Sequence, residues 1–382
     1  MTRARLPLLV FFANAARDSN DGRRVREFRA RVPCADDSVV LYRDDVGRLR
    51  SLVLLVQTIR RLRPDLVYVE VFGYSGVVGA LLGKLLFGVS IGFGNGDHIF
   101  STHAKAGHWV RAALAGSLEL CLRRYADLWV VWSPFHHRWL GRRSAGSVVC
   151  APGAVDSGVF APGGRGAARR ALHLDEHALV VGVVGSLRHA RRFDMVYGWD
   201  LIDAIAALPP DLPVIGLIVG GGNGLERLRA LAREKGVEDR VVFTGPVPHA
   251  DLPRYYAAMD VGLVTLSNDL DARFTWTAKL PELMACGVFP VMTDVEPSRR
   301  FVERCGALLP FSGVKDLRYP QRLATLIRAL VDDPGRLERR QRGPALARAL
   351  MSYDVAARHL DRGIRHALRT RMPALVSGAP SR

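Results

Sequence analysis

Four stretches in the second half of the chain combine glycine turns, cations and a carboxylate of the kind that can hold a diphosphate ester and a ribose. In Gly185-Ser186-Leu187-Arg188-His189-Ala190-Arg191-Arg192 a glycine turn precedes cations able to neutralise a diphosphate leaving group. An ordinary strand-to-helix turn with solvated arginines would read the same way. Gly220-Gly221-Gly222-Asn223-Gly224 lets a ligand approach the backbone closely, but Leu225 stands where a dinucleotide fingerprint has its third glycine. Thr244-Gly245-Pro246-Val247 is a rigid turn whose backbone could read a base edge, or simply turn the chain.

The fourth stretch runs from Lys279 through Pro281, Glu282 and Gly287 to Val291. Pro281 suits a first helical position, and Gly287 stops the helix after barely two turns. Backbone amides around Ala278 and Lys279 would then point out of the helix start, where a diphosphate is favoured. Glu282 could accept hydrogen bonds from a ribose diol, or only complement the helix dipole. No metal is expected, because no spacing links His103, His108, His136 and His137 to carboxylates. The cysteines, Cys34, Cys121, Cys150, Cys286 and Cys305, are scattered without a close pair, which gives neither a zinc site nor a disulfide framework. A reducing cytosol fits best.

These turns follow strand-like apolar runs. Leu179–Val184, Val214–Val219, 241–243 and 261–266 are each succeeded by a turn and a helix-like stretch, and 288–292 closes the series. Continuous apolar runs mean strands buried on both faces, and their alternation with helices predicts a doubly wound parallel α/β sheet. Such sheets bind ligands at the carboxyl ends of their strands. At 382 residues the chain suits two domains. Strand-like runs at 6–12, 64–71, 90–93 and 128–132 supply a second α/β unit. The turn-rich passage 151–166 reads as the linker, so the domains are expected at 1–160 and 161–351.

The formal net charge is +17 and nearly all of it is arginine, which calls for an anionic partner or reflects an arginine-favouring composition. No nucleic-acid motif or aromatic stacking platform accompanies it, so nucleic acid is not expected. The 102–129 passage sets Trp109, Val110, Leu114 and Leu118 among Lys105, Arg111, Arg123 and Arg124. It would suit either a core-packing helix or one lying on an anionic bilayer. In 77–93, the most membrane-like window, Lys84 and several glycines interrupt the apolar run, so no transmembrane span is expected.

Taken in order, these pieces resemble the GT-B retaining glycosyltransferases of the large group that includes glycogen synthase and sucrose synthase. Arg63–Tyr68, Tyr125–Ser133, Ala151–Asp156 with Phe160, Ile218–Gly222, Arg240–Gly245, Tyr255–Asp260 and Glu282–Gly287 carry the resemblance. The ending Ser352-Tyr353-Asp354, followed by a helix to about residue 372, is similar to the segment that crosses back onto the N-terminal domain in that family.

The resemblance implies two Rossmann-like domains facing across a cleft. It also implies transfer of a sugar, with retention and without an essential metal or other cofactor, from a nucleotide diphosphate held by the C-terminal domain. The acceptor class is a glycan, a lipid-linked glycan or a small molecule, as in cell-envelope polysaccharide or glycolipid synthesis, with the protein at work in the cytoplasm or at the inner membrane face. Arg191 and Lys279 would stabilise the leaving diphosphate, with Gly185, Ser186, Arg188, Gly220, Gly222, Gly245, Pro246, Val247, Ala278 and Glu282 around the nucleotide. Asp97 and His98 stand near the place where the family often keeps a group beside the transferred sugar, though a capped polar turn would read alike. Two departures accompany the match. Phe274 occupies the position of the first of two glutamates eight apart, and the family's Arg-then-Lys phosphate pair becomes Ser186 and Arg191. A GT-B nucleotide-sugar 2-epimerase, or a catalytically silent nucleotide-sugar-binding scaffold, is the alternative.

Overall fold

The computed structural model describes residues 6–34, 38–296 and 298–371, and in it the chain divides into two compact units. The first comprises Met1–Ala154, Arg273–Trp276 and Tyr353–Arg382; the second comprises Val155–Ala272 and Thr277–Ser352. The division therefore lies between Ala154 and Val155, inside the turn-rich passage.

In the first unit six parallel strands, β1 (Leu9–Ala13), β2 (Val39–Tyr42), β3 (Leu66–Glu70), β4 (Ser90–Asn95), β5 (Leu128–Val131) and β6 (Ser147–Cys150), lie in the order β2-β1-β3-β4-β5-β6. Alternate residues of each strand serve opposite cores, which is why the runs are continuously apolar. Leu9, Phe11, Leu66, Tyr68, Leu128 and Val130 face the helices Asn20–Arg31 and Tyr353–Arg371. Val10, Phe12, Val67, Val69, Phe93 and Trp129 face the helices Arg48–Leu62, Tyr74–Phe87 and Trp109–Tyr125. The closing helix Tyr353–Arg371 thus packs into one core through Ala356, Leu360, Ile364 and Leu368. Where β1 ends, Asn14 bonds the Val71 carbonyl and the Gly76 amide, and a Cβ at Gly73 or Gly76 would strike it.

The second unit repeats the plan with β7 (Leu179–Val184), β8 (Val214–Val219), β9 (Val241–Gly245), β10 (Val261–Val264), β11 (Phe289–Thr293) and β12 (Ala307–Leu309). Its order is β9-β8-β7-β10-β11-β12, all parallel. The order reverses between β7 and β10, the switch point at which such sheets bind ligands. Asp260, just before β10, is buried and accepts from the Val180 amide and from the fully buried Arg169.

Three strands fall outside the predicted set. β2, β6 and β12 are sheet edges, short and only part-buried, so they lack the long apolar run that marks a central strand. A small hairpin also interrupts the expected passage from β7 into its helix: His189–Ala190 pairs antiparallel with Met195–Val196.

Candidate functional site

The loops after β7, β8 and β9 form one layer in the second unit. The Gly185 amide donates to the Val219 carbonyl, the Leu187 amide to Gly221, and the Gly220 amide to Gly245, at 2.9, 2.9 and 3.1 Å. Gly220 and Gly222 are glycines because their neighbours are backbone: a Cβ on either would collide with the Gly185 or Leu187 carbonyl. Their closeness serves packing of loop on loop, a reason sequence reasoning did not supply. Pro246 packs over Gly221 in the same way, and Gly245 turns the chain at φ 72°.

Lys279 joins this layer. It opens the helix Lys279–Ala285, two residues earlier than Pro281 suggests. The proline sits at the third helical position, where its missing N–H is one that a helix start leaves unpaired anyway. The half-buried Lys279 side chain lies across Gly185, so that a Cβ there would stand 2.6 Å from Cε and 3.2 Å from Nζ. Its ammonium is 4.9 Å above the centre of the Tyr197 ring. Burial holds the Lys279 pKa below the usual lysine value, and the Glu282 charge opposes that shift. Arg188 and Ser186 are exposed on the same loop, and Arg191 is exposed at the tip of the hairpin.

Glu282 is 7% exposed and both its oxygens are engaged: Oε1 meets His249 Nε2 at 2.9 Å and Oε2 accepts from the Tyr256 hydroxyl at 2.7 Å. Burial first, and the Glu282 charge second, hold the Tyr256 hydroxyl protonated well above its usual range. Phe160 closes the group, 5.2 Å from His249 and 6.0 Å from Tyr256 between ring centres. Neither His249 nor Tyr256 was expected at the site. Tyr256 stood in the sequence only within the segment Tyr255–Asp260 that carries the family resemblance, and His249 follows a turn proline. Asp269, also a carboxylate of this loop region, caps the next helical segment by accepting from the Ala272 amide at 3.0 Å.

Asp97 and His98 belong to the first unit, whereas the residues above belong to the second. His98 is 8% exposed, and its ring stacks on Phe274 at 4.4 Å between centroids with Trp139 edge-on at 5.2 Å. Its Nε2 lies 3.5 Å from Glu119 Oε1, and its Nδ1 has no hydrogen-bond partner among the described residues. Phe274 also meets Phe135 and His136 edge-on, so the residue in the place of a motif glutamate is buried in an aromatic box. His136 in that box is pushed down to about 3 by burial and then by His98, which keeps it neutral.

Residues 178–333 match the family described as Glycosyl transferases group 1. The chain is similar to the D-inositol 3-phosphate glycosyltransferase of Kribbella flavida, with 33% identity over 210 residues, 52% of this chain and 46% of that relative. It thus spans about half the length of the curated relatives it matches, or less. Among solved structures, the sucrose-phosphate synthase of Thermosynechococcus elongatus aligns with a TM-score of 0.74 at 20% identity, over 95% of this chain and 100% of that one. HepE of Anabaena, solved in complex with UDP and glucose, aligns with a TM-score of 0.71 at 17% identity, over 94% of this chain and 99% of that one. Residues 178–333, which hold Gly185, Lys279 and Glu282, thus match the group 1 glycosyl transferase model within a chain of GT-B fold.

Proposed function

We propose that the protein transfers a sugar, with retention, from a nucleoside diphosphate donor bound by its second unit. The observation that carries this reading is the Lys279 ammonium lying across the Gly185 turn beside the β7–β10 switch point, one helical turn from Glu282. A cation at that place meets the charge that grows on a departing diphosphate. Arg188 on the same loop and Arg191 at the hairpin tip are exposed, long-chain cations and are proposed to reach the same phosphates. The resident charge is supplied by side chains, so the transfer is proposed to run without a metal ion or other cofactor, and turnover in excess EDTA belongs to its test. UDP and glucose occupy the Anabaena protein, which makes a UDP-sugar the first donor to try. Asp97 and His98 are proposed to touch the sugar or the acceptor, His98 through its unpartnered Nδ1.

Glu282 is the residue proposed to hold the ribose. Glu282→Gln preserves the volume beside His249 and Tyr256 but removes the charge. Titration calorimetry with UDP, GDP and ADP is expected to show the preferred nucleotide bound about 1.5–3 kcal/mol more weakly. An unchanged dissociation constant would remove Glu282 from the nucleotide site.

The acceptor is proposed to be carried on an anionic membrane, approached by the first unit. The helix Trp109–Tyr125 packs inward through Ala112, Ala115 and Leu122, while Trp109 (64% exposed), Val110, Leu114 and Leu120 point outward with Arg111 and Arg124. Leu85 and Leu86, and Leu49 and Val53, are exposed on the two helices that cover the same sheet face. Large apolar residues exposed beside arginines on the outward face suit insertion at a lipid surface. Among the described residues no helix is long and apolar enough to cross a membrane. We expect flotation with vesicles containing phosphatidylglycerol and release by moderate salt, since each basic residue near the surface adds about 1 kcal/mol. Equal behaviour on neutral vesicles would refute the electrostatic part.

A further inference from the structure

The Lys279 side chain has a support that no motif records. Gly185 leaves the space through which the chain of Lys279 passes, since a Cβ there would meet Cε at 2.6 Å. The same Cβ would lie 3.4 Å from Tyr197 Cε1, so glycine, lysine and tyrosine meet at one point of the second unit. Tyr197 follows the hairpin that ends at Val196, and its hydroxyl donates to the Leu263 carbonyl of β10 at 3.1 Å. That bond fixes the ring between the two strands that flank the switch point. The ammonium then sits 4.9 Å from the ring centre, within the range in which an aromatic face stabilises a cation. A half-buried lysine without such a face would lose its proton more readily, because burial disfavours the charged form.

We propose that Tyr197 is a positioning residue whose ring keeps the Lys279 ammonium charged and directed over the Gly185 turn. The role in catalysis rests on the reading that this turn receives the donor's diphosphate; the coupling of ring to ammonium does not. An ordered ammonium stabilises charge without reorganising as the bond to the sugar breaks, whereas a wandering lysine must be collected in each turnover. The hydroxyl only anchors the ring, so the phenyl ring of phenylalanine should serve nearly as well.

The test uses the full chain with Tyr197→Phe, Tyr197→Leu and Tyr197→Met, the last as a volume-filling substitute should leucine impair folding. The chain has five lysines, at positions 84, 105, 235, 279 and 315, so competitive acetylation across pH, read by mass spectrometry, resolves each one. The midpoint for Lys279 is expected to fall by about half a pH unit or more in the leucine and methionine variants and to hold in the phenylalanine variant. Nucleotide release from UDP-glucose, GDP-mannose and ADP-glucose is followed in parallel. On the sugar that wild type turns over, kcat should drop roughly three- to tenfold in the leucine and methionine variants with KM nearly unchanged. An unmoved Lys279 midpoint without the ring, or an equal shift in the phenylalanine variant, overturns the coupling. A moved midpoint with unchanged kcat overturns the positioning role. If wild type turns over none of these sugars, the glycosyl-transfer reading is what fails, and the acetylation midpoints still decide the ring–ammonium coupling.

Discussion

Lys279→Met should lower turnover by roughly 10²–10³ while changing donor affinity far less, the loss typical of removing one preorganised group from a developing negative charge. Methionine keeps the length of the side chain across Gly185, so the packing survives and the charge alone is lost. Arg191 is the competing candidate for this role, but it stands exposed at a hairpin tip, where water screens its charge. Lys279 is half-buried against an aromatic ring and works in a lower dielectric. The pH profile carries a second signature. Burial lowers the Lys279 pKa, and the functional form is the protonated one. Activity should therefore be intact below that pKa and fall as pH rises through it, earlier than for a solvated lysine. In Lys279→Met that alkaline limb should vanish along with most of the turnover. Steady-state kinetics between pH 6 and about 10.5 measure both, and a turnover near wild type would transfer the leaving-group role to Arg191.

The central strands were legible because a strand buried on both faces must be apolar at every position, as Leu179–Val184 and Leu9–Ala13 are. Edge strands escape that constraint: β6 offers only Val148 and Val149 as a core, too little to separate from a loop. The hairpin at 189–196 has two residues per strand, shorter than any periodicity can register. In the site, Gly185, Lys279 and Glu282 could be grouped from sequence because each lies in a loop, or at a helix start, following a parallel strand, and all such loops share one end of the sheet. Their partners could not. Tyr197, His249 and Tyr256 reach Lys279 and Glu282 from elements 26 to 82 residues away, by side-chain directions that depend on the rotation of each element. Phe274 shows the other limit. It stands where the resembled family has a glutamate, a departure visible in the sequence, but its packing on His98, Phe135 and Trp139 is visible only in the fold.

Arg169→Met should destabilise the second unit by about 3–5 kcal/mol, the cost of breaking a buried ion pair from one side. The Arg169 guanidinium is wholly buried and donates to the carbonyls of Ala258, Asp175, Glu176 and Ala178 at 2.9–3.1 Å and to Asp260 Oδ2 at 2.5 Å. These acceptors lie just before β7 and β10, so one side chain ties together the starts of the two strands at the switch point. Methionine fills much of the volume but satisfies none of those oxygens. Arg165 and Arg340 remain 3.4 Å from Asp260 Oδ1 and will soften the loss of charge compensation, yet neither reaches the four carbonyls. For the same reason Arg169→Met combined with Asp260→Leu should recover only part of the loss, since removing the carboxylate leaves the carbonyls unpaired. Calorimetry should show the transition of the second unit lowered by roughly 6–20 °C in the single variant. Arg165→Met, removing a half-exposed partner of the same aspartate, should change it by under about 1 kcal/mol. A melting temperature for Arg169→Met as high as that of Arg165→Met would mean that the buried guanidinium contributes no more than a surface pair, and that the strand starts are held by the sheet alone.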